Sequence, residues 1–416
     1  MQILKKSLFI LLTGGILSGC SQTDQNDQPL SYDPPGSTNT KDKQISPQTR
    51  EVVGFENAGV WFSNDFEGGR ANAVRQIDAD KYEIDILPEN APVNNSAWYA
   101  FQVWSREARR VQVTLNYSDG NHRYQPKIRT NDTGWKRLAE ESWHIDSART
   151  QATLSLDVSP DTLLVSGQEL ITSSVFEAWT DSLVALPYVH KSVIAESREG
   201  RPLSKLTISN VPNARRFVLV ISRQHPPEVS GSFALMAFIE RLCSDTDLAQ
   251  RFRDQFTVVA VPLMNPDGVD NGHWRHNRAG VDLNRDWLNF NQPETRAVSQ
   301  MFLGLKDNPE NKVYFGIDFH STQEDVFYTV TKDFETFPDR FSDRWLARLG
   351  EKLPDYHINE DPSGVESPTS KSWFYRTFNV DAVTYEVGDE VERPRIRMIA
   401  TNAADAMMEV LLNEVE

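Results

Sequence analysis

Hydrophobic and polar positions change rhythm along this chain. Within residues 51–185, Val111, Val113, Leu115 and Tyr117 interleave with Gln112, Thr114 and Asn116. Ala152, Leu154, Leu156 and Val158 interleave in the same way with Thr153, Ser155 and Asp157. A period of two puts every apolar side chain on one face of a strand, so this stretch predicts an all-β domain, an antiparallel β-sandwich. Asp119-Gly120 and Asp132-Thr-Gly134 supply turns. From about residue 186 the pattern becomes short, unbroken apolar runs at 217–221, 256–261 and 313–317. Such runs suit strands buried on both faces. Helix-like segments lie between and after them at 232–244, 293–305, 339–353 and 393–414. The last carries Ile396, Ile399, Ala403, Met407 and Leu411 on one face. Strands alternating with helices over 186–416 predict an α/β domain whose mixed, mostly parallel sheet is flanked by helices.

The first fifty residues follow neither pattern. Lys5 and Lys6 precede an apolar run at 8–17, which ends in Leu17-Ser-Gly-Cys20. That run is too short for a bilayer, which takes ~20 residues, and residues 1–19 read as a signal peptide. A cysteine behind small residues resembles a bacterial lipobox. The resemblance implies that Cys20 is lipidated and anchors the chain to a membrane. With Ser21 next, it points to the outer membrane, facing the periplasm. Residues 20–50 are almost wholly polar and are expected to form a flexible tether.

Composition narrows the function. The 416 residues include 43 Lys+Arg and 59 Asp+Glu, a formal net charge of −16, which argues against a nucleic-acid binder. Two cysteines exclude a disulfide framework and a Cys-based zinc finger. Cys243 sits in an apolar stretch and reads as a small buried hydrophobe. Six of the ten tryptophans (Trp61, Trp98, Trp104, Trp135, Trp143, Trp179) fall in residues 51–185. They are expected to pack the sandwich core, a carbohydrate-binding platform being the sharper alternative.

Chemistry enters at strand ends. His225-Pro-Pro-Glu228 follows the run 217–221, and His320 follows the run 313–317. Two histidines and a carboxylate make a catalytic zinc shell with one position left for water. Open α/β sheets place their sites at such strand ends. Between and beyond them stand Asn265-Pro-Asp-Gly268, Trp274-Arg275, Gly280-Val-Asp-Leu-Asn-Arg-Asp-Trp287, His320-Ser321 and Thr384-Tyr-Glu386. In order and spacing this series resembles the zinc carboxypeptidase family. The stretches 96–103 and 124–135 resemble the β-sandwich domain that precedes the catalytic domain in its cytosolic carboxypeptidase subfamily.

The resemblance implies one zinc ion per chain, held by His225, Glu228 and His320. It implies that Asp282 orients the His225 ring, that Glu386 is the general base and that Arg275 stabilises the developing oxyanion. Asn284 and Arg285, with Arg278 near them, would hold the C-terminal carboxylate of a peptide substrate. Such a clamp one residue from the metal restricts cleavage to the last bond. Lys371, two before the Trp373 that lies thirteen before Glu386, falls where the family reads the C-terminal side chain. A lysine there would favour Glu or Asp; the alternative is a solvent-facing loop lysine. Two features depart from the pattern. Residues 361–370 lack the tyrosine that covers substrate in digestive relatives, and Pro227 stands where the subfamily has glycine. Two other readings remain open here: a murein stem-peptide carboxypeptidase or amidase, and a catalytically dead binding module.

Overall fold

The computed structural model describes residues 37–130, 133–211 and 215–415. The signal peptide, Cys20, the first part of the tether and Asp132 lie outside the described residues. Eleven strands form the first domain: β1 (Val52–Phe55), β2 (Val60–Ser63), β3 (Ala73–Asp78), β4 (Lys81–Ile86), β5 (Ala100–Ser105), β6 (Arg109–Tyr117), β7 (Lys127–Arg129), β8 (Lys136–Arg137), β9 (Trp143–Ile145), β10 (Gln151–Val158) and β11 (Leu163–Ser166). They make two sheets, ordered β1-β2-β5-β11-β7-β8 and β3-β4-β6-β10-β9. Pairing between the described strands is antiparallel except between β4 and β6, which run parallel. The alternation in β6 and β10 buries Val113 and Leu115 opposite Leu154 and Ala152.

Tryptophan contributes less to this core than its abundance suggests. Trp98 is buried, but Trp61, Trp104, Trp135 and Trp143 are only half-buried. Trp61 alternates with the buried Val60 and Phe62, so it falls on the opposite face, where it stacks on Trp104 at 6.4 Å between ring centroids. Trp179 lies on helix α1 (Ser173–Val184). That helix corrects the all-β reading to residue 185. Its buried Phe176, Thr180 and Leu183 recur at helical spacing, and it packs on the first strand of the α/β sheet.

The second domain is built on β12 (Val189–Glu196), β13 (Pro202–Ile208), β14 (Arg216–Ser222), β15 (Thr257–Val261), β16 (Lys312–Thr322), β17 (Val326–Tyr328) and β18 (Ala382–Gly388). Their order is β12-β13-β15-β14-β16-β18-β17. The central pairings are parallel and the flanking ones antiparallel. Helices α2 (Val229–Leu242), α3 (Asp247–Arg253), α4 (Pro266–Asp270), α5 (Pro293–Leu303), α6 (Phe341–Lys352), α7 (Ser370–Phe378) and α8 (Arg393–Asn413) complete it. Alternate residues of β14 face opposite layers. Val218 and Val220 join the layer containing α2, α6 and α8, while Leu219 and Ile221 join that of α5 and α7. The five residues expected on one face of α8 are all buried.

The two domains share a core. The sandwich interior and the α2/α8 layer form one contiguous apolar cluster. Charge pairs ring the junction: Arg123 with Asp389, Lys127 with Glu390 at 3.1 Å and Arg393 with Glu169 at 2.6 Å. The described part of the expected tether is not free. The backbone N–H of Lys43 donates to Ala279 and that of Ser46 to Glu89, while the buried Thr40 accepts from Gln292 at 2.8 Å. Gln48 and Arg50 add side-chain bonds to the carbonyls of Gly69 and Phe66. Polar composition suggested a solvated chain, but these groups are satisfied by both domains as an extended strap.

Candidate active site

Parallel pairing of β14, β16 and β18 brings three strand ends to one side. His320, near the end of β16, lies opposite Glu386 of β18 in register. β14 ends in a turn in which Arg223 takes φ 57°. The two prolines then carry the chain from His225 to Glu228, which stands at the N-terminus of α2. A helix N-terminus favours negative charge. Helix and strand approach so closely there that a Cβ on Gly231 would stand 2.4 Å from the His320 carbonyl oxygen.

The imidazoles turn the same edge inward. His225 Nδ1 is 2.7 Å from Glu228 Oε1, His320 Nδ1 is 2.7 Å from Glu228 Oε2, and the two Nδ1 atoms are 3.1 Å apart. All three side chains are buried, and one ligand atom from each lies within 4.8 Å of the others. Lone-pair donors crowded this tightly without water around them suit a cation, and the residue types suit zinc. The outer edge of each ring is fixed by a carboxylate. Asp282 stands 2.9 Å from His225 Nε2, as the motif implied, and Asp318 stands 2.8 Å from His320 Nε2. Asp318 in turn accepts from Gln224 and Ser370, and Gln224 accepts from the Trp287 indole at 2.8 Å. Burial alone would raise Glu228, but His225 and His320 hold it well below the usual carboxylate range.

Arg275 and Glu386 line one cavity with His225 and Glu228. Arg275 donates from Nε to Asp282 at 2.8 Å, and its Nη1 is 3.8 Å from Glu228. Glu386 is half-buried, with its Oε2 turned inward. Burial first, and the Glu228 carboxylate second, push it up to about 8. Its Oε2 has no hydrogen-bond partner in the protein, so a buried acceptor is left for whatever enters the cavity.

The other candidate positions divide. Asn284 and Arg285 line the cavity, and Ser370 N–H donates to the Asn284 side chain at 3.0 Å. Lys371 also lines it, but is buried rather than solvent-facing. Its ammonium donates to Thr329 O, Ser363 O and Ser363 Oγ. Arg278 does not belong to the site. It lies outside the cavity lining and pairs with Glu199 at 2.6 Å, because the turn after Asn277 directs it outward. Tyr328 of β17 lines the cavity where residues 361–370 offer no tyrosine; the same loop contributes Glu366.

Several site residues were not singled out in the sequence. Asp318 had a signal: it lies two before His320, on the same face of the same strand. Glu89, Ser96 and Arg123 had none, because they come from the sandwich domain. Glu89 is completely buried and accepts the backbone N–H groups of Trp274, Arg275 and His276 at 2.7, 3.1 and 2.7 Å. It thereby fixes the loop that carries Arg275. Burial alone would raise the Glu89 carboxyl, but His273, His276 and Arg70 hold it down at about 2.

Comparison with known proteins agrees with this geometry. The cytosolic carboxypeptidase N-terminal domain profile matches residues 62–166. Mouse cytosolic carboxypeptidase 6 is 26% identical over 280 residues, 62% of this chain and 52% of the relative. The chain thus spans about half the length of the mouse and human forms of this relative. An uncharacterized protein of Zymomonas mobilis is 25% identical over 303 residues, 70% of this chain and 75% of its own. The fold resembles a metallo-carboxypeptidase from Burkholderia cenocepacia, with TM-score 0.74, 18% identity and coverage of 86% of this chain and 100% of that one. A Pseudomonas aeruginosa metallo-carboxypeptidase solved with (2-guanidinoethylmercapto)succinic acid gives TM-score 0.69 at 20% identity, covering 85% and 100%. The zinc carboxypeptidase profile matches residues 176–408, more than half of the chain, and the chain therefore belongs to the zinc carboxypeptidase family.

Proposed function

We propose that this chain is a zinc-dependent carboxypeptidase that removes acidic residues, Glu or Asp, from the C-termini of peptides. The observation that carries the reading is the convergence of His225, Glu228 and His320 beside Glu386, whose buried Oε2 has no partner in the protein. His225, Glu228 and His320 would hold the zinc, which would supply Lewis acidity and lower the pKa of water at neutral pH. Asp282 and Asp318 hold the rings with Nδ1 inward, so the donor set is organised before it is filled. Glu386 accepts a proton at Oε2 from the attacking water and returns it to the leaving amine. Arg275, held by Asp282 and by the Glu89-bound loop, donates to the oxygen on which negative charge develops. Arg285 and Asn284 grip the free carboxylate, which sets the last peptide bond against Glu386.

Acidic preference is supported by charge. Arg123, Arg275, Arg285 and Lys371 line the cavity, against Glu366 as the one lining acid besides Glu228 and Glu386. Lys371 spends its three protons on the protein, so it contributes a buried positive charge rather than a free donor. The same proposal includes a lipid anchor on Cys20 at the cell envelope, which the lipobox-like Leu17-Ser-Gly-Cys20 supports. A peptide series differing only in the last residue, assayed with zinc and again with chelator, tests the reading. We expect zinc-dependent release with kcat/KM highest for Glu. Equal rates for Glu, Leu and Arg, or release unaffected by chelator, would overturn it.

A further inference from the structure

The β-sandwich reaches the cavity with its own cation. Arg123 and Ser96 line it together with Glu228, Ser321, Thr322 and Glu386. The guanidinium is enclosed, and it stacks over the Tyr124 ring at 5.0 Å. Its Nε donates to Asp389 at 2.8 Å and its Nη1 to Ser96 at 2.7 Å. Nη2 lies 2.8 Å from the same Asp389 oxygen, but at an angle that makes no hydrogen bond. A guanidinium has five N–H bonds, so Arg123 keeps unspent donors in a buried position. Lys371, the cation that the family resemblance assigns to specificity, keeps none.

Position says what those donors meet. The C-terminal carboxylate is assigned to Asn284, whose side chain accepts from Ser370 at the start of α7, and to Arg285 beside it. Arg123 is anchored elsewhere, on Asp389, whose N–H pairs with Thr322 beyond the end of β18. A substrate held at its terminus, with its last peptide bond beside Glu386, must continue away from the clamp. We propose that Arg123 binds the side chain of the residue preceding the scissile bond and selects a carboxylate there. The substrate class is then a peptide whose last two residues are both acidic. A carboxylate would take the unspent N–H groups of a fork already oriented by Asp389 and Tyr124.

The proposal rests on the carboxypeptidase reading, and one experiment separates the two. Three peptides share a C-terminal Glu and carry Glu, Gln or Ala before it. We expect the wild type to favour Glu over Gln at that position by roughly tenfold in kcat/KM. In Arg123→Gln with Asp389→Asn, a neutral pair that leaves no lone buried charge, the ratio should fall to within about twofold of one. If that pair fails to fold, Arg123→Met serves in its place, with zinc content and melting temperature as folding controls. Calorimetry on Glu386→Gln, which should bind without cleaving, is expected to show the same preference. A wild-type ratio near one, or an unchanged ratio in the Arg123 variant, overturns the proposal. A zinc-loaded wild type that releases nothing from any of the peptides overturns the carboxypeptidase reading itself.

Discussion

The two domains handle charge in opposite ways. In the sandwich, β6 and β10 alternate, and charged groups face water. Arg110 and Asp157 pair across these strands at 2.8 Å with both side chains more than two-thirds exposed. Such a pair contributes at most about 1 kcal/mol. In the α/β sheet, β16 is buried at nine consecutive positions, including Asp318 and His320, and β18 is buried at every position but Glu386, whose Oε2 is itself buried. A strand covered on both faces has no solvent side, so each polar residue on it must be satisfied by other protein groups or by a ligand. That desolvation costs several kcal/mol per ion. The difference teaches where substitution should cost stability and where it should cost chemistry.

The largest effect should come from the cavity carboxylate. Glu386→Gln is expected to lower kcat by roughly 10³-fold or more while zinc content and melting temperature hold. Loss of zinc or of folding in that variant would mean that Glu386 is structural, like the polar groups of an ordinary core. On the sandwich side, Leu115→Ala removes a fully buried side chain. Denaturant titration should show a loss of about 2–5 kcal/mol with kcat unchanged. Glu89 breaks the comparison by design, because it sits in the sandwich domain but holds the Arg275 loop. Glu89→Gln is therefore expected to lower kcat as well as stability, and a pure stability loss would show that the loop holds itself.

Ring orientation should cost less than the general base. Asp318→Asn is expected to weaken zinc binding by roughly 10–100-fold in chelator competition, because an amide supports the His320 ring less well than a carboxylate. The smallest effect is a pH dependence. Burial pushes the Lys371 ammonium down to about 8, with Asp381 the largest opposing influence. Lys371 is charged below that value and neutral above it. Preference for a C-terminal Glu over Leu should then decline a few-fold between about pH 7 and 9, and should be flat in Lys371→Met. An undiminished decline in that variant would move the specificity to another group.

Much of the site was legible because its ligands come in short local motifs. His225 and Glu228 are the ends of a four-residue turn into α2, and Asp282, Asn284 and Arg285 share one further turn. Spacing inside a turn limits where side chains point. Arg278 shows the limit of that argument. It belongs to the same stretch, but one turn directs it to Glu199 instead of the cavity. The tether shows another: polarity marks a segment as able to be solvated, and says nothing of the carbonyls at Gly69, Phe66 and Ala279 that bind it.

By itself the sequence determined most of the elements and the family, and through the family it pointed to His225, Glu228, His320, Asp282 and Glu386, which the fold brings together. Period-two and unbroken apolar patterns are set by which faces of a strand are buried, and the motifs by the chemistry that they serve. Only the tertiary structure decided what crosses between domains. Asp318 behind His320 was within reach of strand periodicity. Glu89 beneath Arg275 and Arg123 at the cavity wall were not, because each lies more than a hundred residues from the group that it serves. Such contacts are fixed by packing two apolar cores into one, and no local pattern encodes which loop of one domain will face the strand ends of the other.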